Sequence, residues 1–313
     1  MQHFGVDVSS KWLDIADDSG EVVRIDNTIK AIKKWLCLTK ESDAIAMEAT
    51  SSYHKLLASL AHNKKLDVYV INPRIIHHYA KGVGRRGKSD KVDAIIIHRY
   101  LTKERELIHQ WQPLSKEQEM IDTLLNRRRQ VIKQKQALEM ACKDIRHIVT
   151  EVIPTIKALE KLADQLETMV VSKIKLQDTL KDKFNLLLTI PGVGPLTSAY
   201  MLNLFEKKHM TNINQLTSFI GLDLAYKDSG TKQSRRRLSK KGAPEARRLL
   251  FNGARSASMS QLKPLYESYR TRMNHTQSTV AVMRKLLKLI LGVWKSQTPF
   301  DFKKYNSPLM NNT

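Results

Sequence analysis

"QHFGVDVSSKWLDIADDSGEVVRID", residues 2–26, decides the fold of the amino-terminal part of the chain. "HFGVDV", "WLDIAD" and "EVVRID" have the alternation of a half-buried strand, and Ser19-Gly20 supplies a turn between the last two. Together they read as two or three short strands in a hairpin or meander. Beyond them, "NTIKAIKKWLCLTK" carries apolar residues at helical spacing. "AIAME" (44–48) is a buried strand, "SYHKLLASLAHN" a helix, and "LDVYVIN" (66–72) another strand; a further helix runs from near Asp90 to Leu101. Three early strands followed by alternating helix and strand predict an α/β sheet, whose ligands sit at the carboxyl ends of its strands.

At 313 residues the chain is long enough for two domains. Lysine and arginine number 53 against 31 acids, a formal net charge of +22. That surplus points to nucleic acid, because each neutralised phosphate releases a bound counterion; nonspecific RNA adhesion or an anionic membrane surface is the alternative. Cys37 and Cys142 form no CxxC pair, so neither a disulfide framework nor a cysteine zinc site is supported. His54, His77 and His78 fit no familiar zinc spacing. "MQHFGVDVSS" lacks the basic start and apolar run of a signal peptide, and "LLKLILGVW" (286–294) is too short to span a bilayer. A cytoplasmic protein without a membrane partner is expected.

From about 104 to 185 the pattern changes to long helices. "SKEQEMIDTLLNRRRQVIKQKQALEMACKDIRHIV" and "TIKALEKLADQLETMVVSKIKLQDTLK" predict a coiled-coil-like hairpin, with Pro154 marking the break between the two. From 186 onward short helices are punctuated by glycine. "LLLTIPGVGPLTSAYMLNLF" reads as helix, turn, helix, and "APEARRLLFNGARSAS" as a later helix. The expected organisation is an α/β domain at 1–103, a helical spacer at 104–185 and an all-α domain at 186–313.

Four acids are candidates for chemistry. Asp7 lies near the carboxyl end of the first strand, and Glu48 closes "AIAME". Asp90 and Asp93 open a helix and share one of its faces. If the two strands are neighbours, four hard oxygen donors from three distant segments meet at one sheet edge, the donor type magnesium prefers. Two such ions can stabilise the attacking and leaving oxygens of a phosphodiester. Each acid also has a plainer reading: Asp90 and Asp93 as first-turn acids behind Ser89, Asp7 and Glu48 as strand-end surface residues. Jointly the chemical reading prevails, because carboxylates inside "FGVDVS" and "IAME" are poor core residues without a metal or partner.

Three basic clusters suit phosphates. The first holds Arg85, Arg86 and Lys88; the second, Arg127, Arg128 and Arg129. The third holds Lys232, Arg235, Arg236, Arg237, Lys240, Lys241, Arg247 and Arg248. The middle one also reads as a solvated helix face. "GVGRRGKS" (82–89) has the letters of a phosphate-binding Walker loop but stands ten residues beyond the strand "LDVYVIN" rather than directly after one, so ATP is not implied. "IPGVG" (190–194) resembles a helix-hairpin-helix turn whose Gly192 and Gly194 would admit a phosphate to a helix start; a simple tight turn is the alternative.

The ordered set is more specific than any of its parts. Asp7 in "GVDVSSK", Glu48 in "MEATSSY", Asp90 and Asp93 in "KSDKVDA", "LLLTIPGVGPLTSA", and "FIGLDLAYKDSGTKQSRRRLSKKG" before "ARRLLFNGA" resemble one family over nearly the whole chain. That family is the insertion-sequence transposases with an N-terminal DEDD domain of RuvC-like, RNase H fold and a C-terminal serine domain. It includes pilin-gene invertases and bridge-RNA-guided recombinases. The resemblance implies a tetrad of Asp7, Glu48, Asp90 and Asp93 holding Mg2+ (or Mn2+). It implies Ser229 of "KDSG" as a nucleophile that becomes a covalent phosphoserine, although the residue alone reads as a turn serine before Gly230. It also implies donor and target DNA, a structured noncoding guide RNA, and a dimer or tetramer in which one subunit's serine joins another's carboxylates. Leu224 and Ala225 stand where the family often has proline and arginine, and Ser51 where it usually has glycine. Rival readings are a metal-only nuclease such as a Holliday-junction resolvase, a DNA invertase, and a nucleic-acid-binding protein on a decayed fold.

Overall fold

The computed structural model describes residues 1–49, 52–84, 90–143, 146–208, 210, 212–225 and 237–302, with residues 90 and 146–149 known by backbone alone. Two compact units divide at Pro113 and Leu114.

The first unit holds a five-stranded mixed sheet. Its strands are β1 (His3–Val8), β2 (Trp12–Ala16), β3 (Val22–Asp26), β4 (Ala44–Glu48) and β5 (Asp67–Ile71), in the order β3-β2-β1-β4-β5. β1 to β3 form the antiparallel meander, while β4 and β5 continue parallel to β1. Asp17 builds the expected turn: its carboxylate accepts from Ser19 N and Oγ, its carbonyl accepts from Gly20 N, and Gly20 takes φ +84°. The α/β class is therefore the one the sequence implies.

Helices cover both faces of the sheet. α1 (Ile29–Leu36), capped by Thr28, and α2 (His54–Asn63) cover one face over Phe4, Val6, Ile45 and Met47. α3 (Pro73–Gly82) and α4 (Asp90–Glu104) cover the other over Ala44 and Ala46. Ala94, Ile97 and Leu101, all fully buried, make the inner stripe of α4. The sequence reading did not include α3, although Asn72 caps it and Pro73 opens it.

Gly5 of β1 is the contact that seats α4. A Cβ placed there would lie 2.1 Å from His98 N and 2.4 Å from Ala94 O. Both atoms are backbone, so no side-chain rotation relieves the clash. Gly5→Ala is expected to cost about 3 kcal/mol or more of stability, typical of severe overpacking, seen as a lowered midpoint in urea denaturation of the full chain. An unchanged midpoint would show that α4 docks elsewhere.

The second unit is helical. α5 (Lys116–Cys142) and α6 (Arg146–Lys175) form an antiparallel hairpin joined by the Lys135–Glu160 and Arg128–Glu167 ion pairs. Pro154 lies inside α6, not at the break, which falls between Cys142 and Arg146. A proline here deprives only the Thr150 carbonyl of its helical donor, and both residues are exposed, so solvent can replace that bond. The hairpin shares a core with α7 (Asp178–Leu188), α8 (Pro195–Lys207), α9 (Ile213–Ile220), α10 (Pro244–Ser258), α11 (Lys263–Arg270) and α12 (His275–Ser296). Phe184, Met201, Leu250 and Leu286 lie near its centre.

A two-residue ladder also appears, with β6 (Leu224–Ala225) antiparallel to β7 (Arg237–Leu238). It uses Leu224 and Ala225, two of the positions where the sequence departs from the family pattern. No alternation is readable in strands this short.

Candidate active site

Strand register places the first two acids side by side. β1 and β4 are parallel neighbours with Val6 opposite Met47, so the next position along is Asp7 on β1 and Glu48 on β4. Side chains alternate between faces. Asp7 therefore shares the face of Gly5, against α4, and Glu48 shares the face of Ala44 and Ala46, beneath the same helix. Both lie at the carboxyl ends of their strands, about 4.8 Å apart in backbone spacing.

α4 runs opposite to β1. Its middle, Ala94 to His98, crosses Gly5. Asp18 holds His98 at the amino end of β1: His98 Nε2 lies 2.9 Å from Asp18 Oδ1, and His3 N donates to Oδ2 at 3.2 Å. Burial pushes the Asp18 carboxyl up, but the hydrogen bonds from His98 and His3 outweigh it and hold the group below its ordinary value. The first turn of α4, with Asp90 and Asp93, is thus brought toward the end of the sheet that carries Asp7 and Glu48. Asp93 is half-buried there, and Asp90 is placed by its backbone alone.

The row extends further than the sequence suggested. Asp14 of β2 pairs directly with Asp7, and Arg24 of β3 with Asp14. Asp14 is 1% exposed. Arg24 donates to both its oxygens, Nε to Oδ1 at 2.8 Å and Nη2 to Oδ2 at 2.7 Å. The guanidinium also lies 5.0 Å from the ring centroid of Trp12. Asp14 already lay inside the alternating "WLDIAD", but only strand register shows that it faces Asp7.

The donor set suits a hard divalent cation, being carboxylate oxygen throughout. Among the described residues, no three carboxylate, histidine or cysteine side chains are close enough to hold one ion as they stand. The row is an arrangement of backbone positions that brings acids to one edge, and the Asp90 side chain is not among those described.

The second unit supplies the stem of the basic segment. Gly221 ends α9 at φ +74°, and a Cβ on Gly242 would lie 2.0 Å from Phe219 O, so the two chain arms touch backbone to backbone. Arg247 donates from Nη1 to Ile220 O at 2.7 Å, and Arg284 from Nε to Leu222 O at 2.9 Å. Asp223 accepts from Ser239 N and Oγ, and the β6–β7 ladder closes Ala225 on Arg237. Segment 226–236, with Ser229, Lys232, Arg235 and Arg236, lies outside the described residues, as do Arg85, Arg86, Lys88 and Ser89.

Several of the expected phosphate contacts have internal roles. Arg128 is 8% exposed and pairs with Glu167 at 2.9 Å, turned into the hairpin rather than out to a polyanion. Arg248 donates to both oxygens of Glu245, and Arg247 braces the stem. These are the helix-packing uses of arginine that charge counting does not distinguish from phosphate binding. Arg127, Arg129, Arg237, Lys240 and Lys241 are exposed. Gly192, at φ +79°, would set a Cβ 2.2 Å from Gly253 O, so it seats the "IPGVG" turn against α10. Gly194 begins α8 with open space before it.

Residues 4–154 match a transposase domain of the DEDD, IS110 kind, and residues 184–270 match the transposase IS116/IS110/IS902 family. The pilin gene-inverting proteins of Moraxella bovis and Moraxella lacunata are each 31% identical over 270 residues, covering 82% of this chain and 81% of theirs. No helix among the described residues is long and apolar enough to cross a membrane. The chain belongs to the IS110 family of insertion-sequence transposases and recombinases, enzymes that cut and rejoin DNA.

Proposed function

We propose that the chain recombines DNA by transesterification through a covalent phosphoserine, excising and inserting a mobile element under the direction of a structured noncoding RNA. The observation that carries this is the placement of Asp7 and Glu48 at adjacent parallel strand ends, with the first turn of α4 brought toward them.

In this reading Asp7, Glu48, Asp90 and Asp93 hold Mg2+ or Mn2+. Bound there, the metal polarises the phosphodiester and steadies charge on its oxygens. Ser229 Oγ forms a bond to phosphorus as one DNA ester bond breaks, releasing a DNA hydroxyl. The hydroxyl of another strand then attacks the phosphoserine, reseals the backbone and frees the serine. The number of ester bonds is unchanged, so ATP is not required. Arg235, Arg236 and Arg237, beside the serine in sequence, neutralise phosphate charge during the exchange. A dimer or tetramer, in which one subunit's serine joins another's carboxylates, completes the site.

Incubating the purified chain and its co-purifying RNA with Mg2+ and matched donor and target DNA tests the reading. Recombinant junctions and a DNA-linked protein band on a denaturing gel are expected, and EDTA should remove both. Strand cleavage without any linked band would instead identify a metal-only nuclease. Sequencing the co-purified RNA should return one structured species that pairs with both DNAs; RNA of random sequence would refute the guide.

A further inference from the structure

Asp14 poses a problem that the proposed tetrad does not solve. It is a buried carboxylate directly opposite Asp7 on the neighbouring strand, where like charges repel. Arg24 supplies the opposite charge through two hydrogen bonds. Stability alone does not account for burying Asp14, since well-packed apolar residues often replace a buried charge and its partner at no loss. One register line therefore crosses four strands on the α4 side of the sheet: Arg24, Asp14, Asp7, and then Glu48.

We propose that Asp14 and Arg24 are a positioning pair that sets how tightly the Asp7 carboxylate row holds a divalent cation. This rests on the reading of that row as a cation site. Asp14 adds negative potential next to Asp7 without spending its oxygens on the ion, because Arg24 occupies both. Arg24, partly open to solvent and lying over Trp12, offsets that potential. The pair is neutral as a unit, so its halves act on a nearby cation in opposite directions.

The test is Mn2+ binding by the full chain without nucleic acid, read from the paramagnetic resonance signal of free Mn2+. Circular dichroism establishes that each variant is folded at the assay temperature. Asp14→Asn should weaken binding about tenfold and Arg24→Gln should tighten it about tenfold, the size a single charge exerts at this range in a partly wet site. The double variant should return to within about twofold of the parent, because the two charges cancel. A merely structural pair would move both single variants the same way, or neither, and that result overturns the proposal. If Asp14→Asn does not fold, comparing Arg24→Gln with the double variant asks the same question, and equal affinities would overturn it. Asp7→Asn serves as the separate control. If it leaves Mn2+ binding intact, the cation site itself is misplaced and this inference falls with it; if it abolishes binding while the Asp14 and Arg24 variants match the parent, only the positioning pair fails.

Discussion

Ser229→Ala should leave DNA and RNA binding in place while abolishing both recombination and the covalent protein–DNA band. The hydroxyl oxygen is the only heavy atom removed, and in the proposed reaction it is the atom that bonds to phosphorus. A nucleophile that forms the intermediate has no partial substitute, so the loss should exceed about four orders of magnitude, comparable with deletion of a catalytic serine in other covalent enzymes. Time courses on end-labelled donor DNA, resolved on denaturing gels, measure it. Persistent nicking at the parent rate would mean that water, not serine, attacks the phosphorus. The metal-only nuclease would then be the correct reading.

Asp7→Asn should be nearly as severe. The change keeps size and shape, and Asp7 is only half-buried, so the sheet should survive it. What it removes is charge at the centre of the acidic row. Loss of about 4 kcal/mol of transition-state stabilisation, the scale of metal-ion assistance, corresponds to about a thousandfold slower strand cleavage. Cleavage rates against Mg2+ and Mn2+ concentration check this, alongside a denaturation curve to show the fold intact. Parent-level cleavage by Asp7→Asn would remove Asp7 from the chemistry.

The fold of the first unit was legible because its signals are local. Alternation in "HFGVDV" and "WLDIAD", the Ser19-Gly20 turn and the unbroken "AIAME" each report burial through residues adjacent in sequence. The acids Asp7 and Glu48 could be singled out for the same reason, as charges in otherwise buried strands. Asp14 occupies the same kind of position, but its meaning depends on register with Asp7 and Arg24, which pairs residues seven and ten apart. α3 was missed because it is short and its start, Asn72-Pro73, follows a strand directly, so Pro73 reads as the end of that strand. β6 and β7 exist only because Gly221 and Gly242 bring the arms together, a tertiary cause with no local trace. Pro154 misled for the converse reason: a helix breaker is tolerated where the orphaned carbonyl faces solvent. Arg128 shows the limit of reading charge, since its Glu167 partner is on another helix.

The closed stem at Gly221 and Gly242 has an engineering consequence. Whatever length of chain runs from 226 to 236, its entry and exit are clamped by the same backbone contacts and by Arg247 and Arg284. Replacing residues 226–236 by another sequence between Ala225 and Arg237 should leave the melting behaviour of the scaffold unchanged, so that the role proposed for Ser229 can be varied separately from the frame that carries it.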